Sequence, residues 1–199
     1  NKSNDSSRIL MAKVDGERSD FAAAATAAAE LLTGKKVAIV LGTKGSNEGN
    51  RAMALLGAKL EGSRLFVMAG NDPSDTATSD NLLNVEDKNP NRYGATLVAD
   101  ASGGAGADLK SALDAGDFDA LIVLQDDAVG RMGGATASAP PVVFIGTYTN
   151  QTSAVARVVI PASAHIEFNG TFINNNGVVQ RFRRALHPVG DSLPDYSAV

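Results

Sequence analysis

The sequence predicts an α/β domain: a doubly wound, mostly parallel sheet with helices on both faces, plus a C-terminal segment that wraps it. Three observations carry the prediction. Short apolar runs rich in β-branched residues recur along the chain, and several stop at glycine or proline. Strands apolar on both faces belong to the interior of parallel sheets. Helix-compatible segments separate many of these runs, and strands alternating with helices at this spacing imply right-handed crossovers.

The chain opens on a polar run, Asn1-Lys2-Ser3-Asn4-Asp5-Ser6-Ser7, and 1–19 is expected to be a flexible N-terminal segment ahead of a single domain over 20–199. The first strong element is the alanine-rich helix Phe21 to Leu32, with Ser19 and Asp20 as candidate N-caps and Gly34 as its stop. Val37 to Leu41 is a buried strand closed by Gly42. The glycine-bearing loop to Gly49 and a helix from Asn50 to about Leu60 complete a βα unit. Arg64 to Ala69 reads as the next strand, ended by Gly70-Asn71-Asp72-Pro73. The polar stretch from Ser74 to Tyr93 shows little periodicity, and Ala101 to Ala107 reads as a loop. Asp108 to Ala115 is a short helix and Ala120 to Leu124 a third strand. After a loose stretch from Gly130 to Pro140 come strands Val142 to Ile145 and Arg157 to Ile160, the latter stopped by Pro161. From Thr171 onward the βα rhythm is lost, and this tail is the segment expected to wrap the domain. Asn169-Gly170 and Asn176-Gly177 are turn dipeptides flanking an extended Thr171-Phe172-Ile173, and Gly170 is expected to need a positive φ.

Composition removes whole classes of chemistry. With no cysteine among 199 residues, the chain holds no disulfide, thiolate zinc site, cysteine-ligated iron–sulfur cluster or cysteine nucleophile. A net charge of −4 argues against general nucleic-acid binding, which rests on a basic face. No apolar stretch approaches the roughly 18 residues a membrane-spanning helix needs, so no direct membrane insertion is expected. The polar opening without methionine suggests a piece of a longer polypeptide.

In an open α/β sheet, ligands bind outside the carboxyl ends of the strands. Four segments lie there: Gly42 to Gly49, Gly70 to Pro73, Gln125 to Gly130, and Gly146 to Asn150. The first reads as a plain turn sooner than as a phosphate cradle at a helix N-terminus. It matches neither dinucleotide nor Walker spacing. Asp126 and Asp127 fit a magnesium or ribose site, or simple capping. Thr147, Thr149 and Asn150 bring hydroxyl and amide groups that caps also explain. His165 and His187 have no carboxylate at ligand spacing, so no metal site and no catalytic residue is expected. Arg181, Arg183 and Arg184 form a basic cluster suited to an anionic cofactor or an acidic partner, or to plain solvation.

The segment from Arg157 to Gln180, with Val158-Val159-Ile160-Pro161-Ala162, Glu167, Gly170-Thr171-Phe172, Asn174, Gly177 and Gln180 in register, resembles a hallmark of the molybdopterin oxidoreductase superfamily. The spacing continues through Arg181, Ala185, Pro188, Gly190 and Pro194-Asp195. Ala22 to Leu32 with the Val37 strand, and Asn89 to Ala95 more loosely, resemble upstream parts of the same proteins. In that superfamily this region is one of two α/β domains that enclose a molybdenum or tungsten bis(pyranopterin guanine dinucleotide). The large iron–sulfur subunit of the respiratory NADH:quinone oxidoreductase shares the architecture and is generally thought to have lost that cofactor.

The resemblance therefore implies one domain of a larger redox subunit. Its parent would carry iron–sulfur clusters elsewhere, with no cofactor in this fragment, other subunits of a multisubunit redox complex as partners, and a cytoplasmic place on a peripheral arm. The alternative it implies is a cofactor-binding domain of a molybdenum or tungsten enzyme such as a formate dehydrogenase. The contacts would then be Gly42, Gly70, Gln125, Asp126, Thr147 and Thr149. Departures favour the first: Phe168 and Val178 replace charged family residues, Gln125-Asp126-Asp127 stands where cofactor-binding members commonly show G-E-N-P, and Gly146 to Thr152 departs from a Q-D-x-F-x-T-E-T strand end.

Overall fold

The computed structural model describes residues 6–72, 75, 78–80, 85–134 and 140–199. The opening Asn1 to Asp5, Pro73 of the second strand-end loop and positions 135–139 of the expected loose stretch lie outside the described residues.

Five parallel strands make the centre of a seven-stranded sheet: β3 (Val37–Leu41), β4 (Arg64–Val67), β5 (Ala120–Leu124), β6 (Val142–Gly146) and β7 (Val158–Pro161). They run in the spatial order β4-β3-β5-β6-β7. Every residue of β3, β5, β6 and β7 is buried, which is why these segments read as continuous apolar runs. Val37, Ile39, Leu41, Ala120, Ile122 and Leu124 face one core layer, while Ala38, Val40, Leu121 and Val123 face the other. Fully burying one such aliphatic side chain contributes about 1.5–3 kcal/mol.

The first layer is covered by α1 (Phe21–Leu32), α2 (Asn47–Gly57) and α3 (Arg92–Asp100), and the second by α4 (Leu109–Asp114) and α5 (Ala128–Arg131). Helix α1 starts where Asp20 Oδ1 accepts from Ala23 N–H at 2.8 Å. It buries Ala24, Ala28 and Leu32, a stripe at four-residue spacing that lies on the sheet. Helix α3 falls in a stretch without apolar periodicity. Its burial rests on small residues, Gly94, Ala95 and Ala99, which give little pattern in sequence.

The expectation of a flexible segment through residue 19 is corrected. Strands β1 (Ala12–Val14) and β2 (Glu17–Ser19) form a hairpin that extends the sheet, with Lys13 and Val14 paired antiparallel to Val159 and Val158 of β7. Asp15 and Gly16 both take positive φ, 48° and 85°. This is the Asp-Gly turn whose twist matches a two-residue hairpin.

The C-terminal segment wraps the first layer. Strands β8 (Gly170–Ile173) and β9 (Val179–Phe182) form a second hairpin, turned at Gly177, and α7 (Asp195–Ala198) packs on α2. A positive φ was expected at Gly170, and the structure corrects this. Gly170 is the first residue of β8 and is absent from the positive-φ glycines. A Cβ there would come within 2.5 Å of Phe182 Cζ, so close approach requires the glycine.

Candidate functional site

The parallel strands are ordered so that β3 is followed by β4 on one side and, after a crossover, by β5 on the other. The carboxyl ends of β3 and β5 therefore border the topological switch point, where ligands bind in open α/β sheets. Gly42 and Thr43 stand at one side and Gln125 and Asp126 at the other. α6 (Gln151–Val155) follows the β6 end that carries Thr147 and Thr149.

The chain's own side chains fill this crevice. Asp126 Oδ2 accepts from Thr43 Oγ1 at 2.6 Å and Thr43 N–H at 3.2 Å, while Oδ1 accepts from Arg131 Nε at 2.6 Å and Asp127 N–H at 2.8 Å. The Arg131 guanidinium also donates to Asn89 Oδ1 at 2.6 Å, to Thr43 Oγ1 at 3.1 Å and to the Gly70 carbonyl. The ionic side chains are 2% and 0% exposed, so Arg131 and Asp126 form a buried pair with nearly every polar atom engaged.

The glycine-bearing loop after β3 does bind anions, and they are carboxylates of this chain. Thr43 N–H goes to Asp126. Ser46 donates its N–H to Asp195 Oδ2 and its hydroxyl to Asp195 Oδ1, both at 2.6 Å. Ser46 Oγ in turn caps α2 by accepting from Gly49 N–H at 2.9 Å. A Cβ on Gly42 would lie 2.4 Å from the Leu124 carbonyl oxygen, and one on Gly49 would lie 2.6 Å from the Asp195 carboxyl carbon. The loop glycines thus make room for β5 and for Asp195. Burial pushes the Asp195 carboxyl above its ordinary pKa. The Ser46 hydroxyl and N–H and the Tyr196 N–H pull it back, and nearby Glu48 adds to the rise.

The six candidate contacts do not converge on one space. Gly42 donates its N–H to Asn50 Oδ1 at 2.7 Å, and Gly70 is exposed while its carbonyl receives Arg131 and Arg92. Gln125, at a positive φ of 49°, pairs with Thr147, whose N–H donates to Gln125 Oε1 at 3.1 Å. Thr147 Oγ1 and Gln125 Nε2 both also reach the Ser163 carbonyl. Thr149 is exposed and its N–H bonds Ser7 O at 2.7 Å. A pyrophosphate needs free donors, and a carboxylate, Asp126, already receives those at the switch point. These residues as arranged do not fit a dinucleotide. Among the described residues no cluster of histidine and acidic side chains forms a metal site. Arg181, Arg183, Arg184, His165 and His187 are exposed.

Residue-by-residue reading missed Arg131, Asn89, Asn91, Glu48 and Asp195 as members of this region. Asn91 donates Nδ2–H to the Gly45 carbonyl at 2.8 Å and accepts from Ile173 N–H at 2.7 Å, so it ties the loop to β8. Glu48 receives the Thr171 N–H at 2.9 Å and hydroxyl at 2.8 Å. The signal for Asp195 was the Pro194-Asp195 spacing, and for Asn89 and Asn91 it was the Asn-Pro-Asn-Arg stretch. Arg131 had none.

Comparison with known proteins follows the same outline. The sequence model of the molybdopterin oxidoreductase family matches residues 21–199. A subunit of the NADH-quinone oxidoreductase of Salmonella typhimurium is 30% identical over 182 residues, covering 88% of this chain and 18% of that protein. A protein of Staphylococcus haemolyticus named as a candidate formate dehydrogenase is 49% identical over 45 residues, 23% of this chain and 5% of that protein. The chain thus spans under a fifth of the length of these curated relatives. In fold it is similar to a chain of the formyltransferase/hydrolase complex of Methylorubrum extorquens, solved with methylofuran, at TM-score 0.63 and 14% identity, covering 94% of this chain and 97% of the other.

Proposed function

Because the chain belongs to the molybdopterin oxidoreductase family, we propose that it serves as the α/β scaffold domain of a large iron–sulfur subunit of the NADH:quinone oxidoreductase type, holding its place in an electron-transfer complex without a pterin dinucleotide on its own residues. One observation carries this reading: donors of the β3–α2 loop that would face a phosphate are engaged by the chain's own Asp126 and Asp195. Similarity to the Salmonella typhimurium NADH-quinone oxidoreductase component along 88% of the chain supports it. Among the described residues no helix is long and apolar enough to cross a membrane, in keeping with a role in a peripheral arm beside other subunits.

The local 49% identity to a candidate formate dehydrogenase favours a second reading, a domain that binds one half of a molybdenum or tungsten pyranopterin guanine dinucleotide. That reading requires Arg131 to leave Asp126 and the Gly70 carbonyl. Titration with GDP, followed by amide NMR, separates the two. The scaffold reading expects no movement at Thr43, Gly70, Gln125 or Thr147 at millimolar GDP. Saturable shifts confined to those residues overturn it, as does stoichiometric molybdenum or tungsten with pterin fluorescence in the intact protein.

A further inference from the structure

A cleft of about 320 Å³ lies along the free edge of the sheet, away from the switch point, between the β1–β2 hairpin and α6. Its floor is apolar, from Ile9, Leu10, Met11 and Val159, and its walls carry Arg8, Lys13 and Arg18 with the hydroxyl residues Ser6, Thr149 and Ser153. Among the described residues no acidic side chain lines it.

One feature of this cleft is costly unless an anion relieves it. Lys13 and Arg18 are directly paired across the β1–β2 hairpin. Like charges directly opposite one another in a sheet destabilise it. Neither side chain makes an ion pair among the described residues. Arg8, the third basic residue of the lining, has its side chain 1% exposed and its charge already met by Glu167, so the uncompensated charge of the cleft is that of Lys13 and Arg18.

We infer that this cleft binds the phosphate group of a small organic phosphate. The two unpaired cations, Lys13 and Arg18, with a set of hydroxyl donors suit a tetrahedral dianion better than a carboxylate, because it offers more acceptor oxygens and twice the charge. The apolar floor beside them suits the carbon skeleton of such a molecule. The volume lies at the small end of ligand clefts, which begin at about 300 Å³.

The test uses the full chain, its K13Q/R18Q double variant, and two probes, inorganic phosphate and glycerol 3-phosphate. Both substituted side chains are exposed, so the variant folds, and in phosphate-free buffer its melting temperature is expected to equal or exceed that of the parent. Saturable binding is expected for the parent, seen as amide shifts at Lys13, Arg18 and Thr149 and as a ligand-dependent rise in melting temperature. The variant should bind about tenfold more weakly or not at all. Tighter binding of glycerol 3-phosphate than of phosphate supports the organic ligand, and equal binding overturns that part of the inference. An equal rise in melting temperature for both proteins, or binding of a glutamate-rich peptide with no response to either phosphate, overturns the site.

Discussion

Replacing Arg131 by methionine tests whether the switch-point crevice is a structural plug. The substitution keeps much of the side chain's length and removes the guanidinium. Asp126 would then be a buried carboxylate without its counter-ion, and Asn89 Oδ1 and the Gly70 carbonyl would each lose a donor. Breaking a buried pair by removing one partner costs about 3–5 kcal/mol. The lower end applies, because Asp126 keeps Thr43 N–H, Thr43 Oγ1–H and Asp127 N–H. At about 2–4 °C per kcal/mol for a domain of this size, R131M should melt roughly 6–12 °C lower. Urea denaturation followed by circular dichroism should show a lower midpoint with an unchanged m-value. In a D126L/R131M double variant the two effects should couple by about 1–2 kcal/mol, since neither charge is left alone. A loss below about 1 kcal/mol in R131M, or strict additivity in the double variant, would refute the plug, because a buried and fully engaged pair cannot be silent.

Asp195 gives a pH signature of defined sign. Its pKa is raised by burial, so the folded state holds the proton more tightly than the unfolded one. Stability relative to D195N should therefore fall as pH rises from the ordinary carboxylate value through the raised one, with the full cost present above it. Parallel pH–stability curves for the two proteins would contradict the assignment. G49A places a methyl carbon against the Asp195 carboxyl, 2.6 Å away before relaxation, and should cost about 1–3 kcal/mol by calorimetry. D195A should remove most of that penalty in the double variant, and an unchanged penalty would mean the clash lies elsewhere. G170A should likewise lower stability by about 1–3 kcal/mol through Phe182. A melting curve like the parent's would remove the close-approach argument.

The parallel core was legible because both faces of β3, β5, β6 and β7 are buried, which writes an unbroken apolar run into the sequence. The β1–β2 hairpin was not, because its Ala-Lys-Val and Glu-Arg-Ser strands are short and its exposed edge is polar; its one signal was the Asp15-Gly16 turn. Helix α3 buries glycine and alanine, residues too small to mark a periodicity. At the switch point, Asp126 was visible as a carboxylate after a buried strand, but its engagement by Arg131 was not. The two residues are only five apart, but their pairing depends on how the short helix α5 turns Arg131 back toward the strand end, a geometry that neither the strand pattern nor a three- or four-residue helical spacing marks.

The same distinction bears on the segment from Arg157 to Asp195, whose resemblance pointed to a cofactor fold. Its residues act on the chain itself. Glu167 holds Arg8 of the N-terminal segment, Thr171 holds Glu48, Ile173 N–H meets Asn91, and Asp195 caps the loop through Ser46. Each bond joins the tail to α2, to the segment that precedes α3, to the loop after β3, or to the N-terminal segment that extends the sheet. Together they close the tail over the carboxyl end of β3. A sequence pattern of this kind can therefore persist on structural grounds alone, whether or not a dinucleotide is bound. The family match thus establishes the fold, and the cofactor question rests on Thr43, Asp126 and Arg131, where a phosphate and a carboxylate would compete for the same donors.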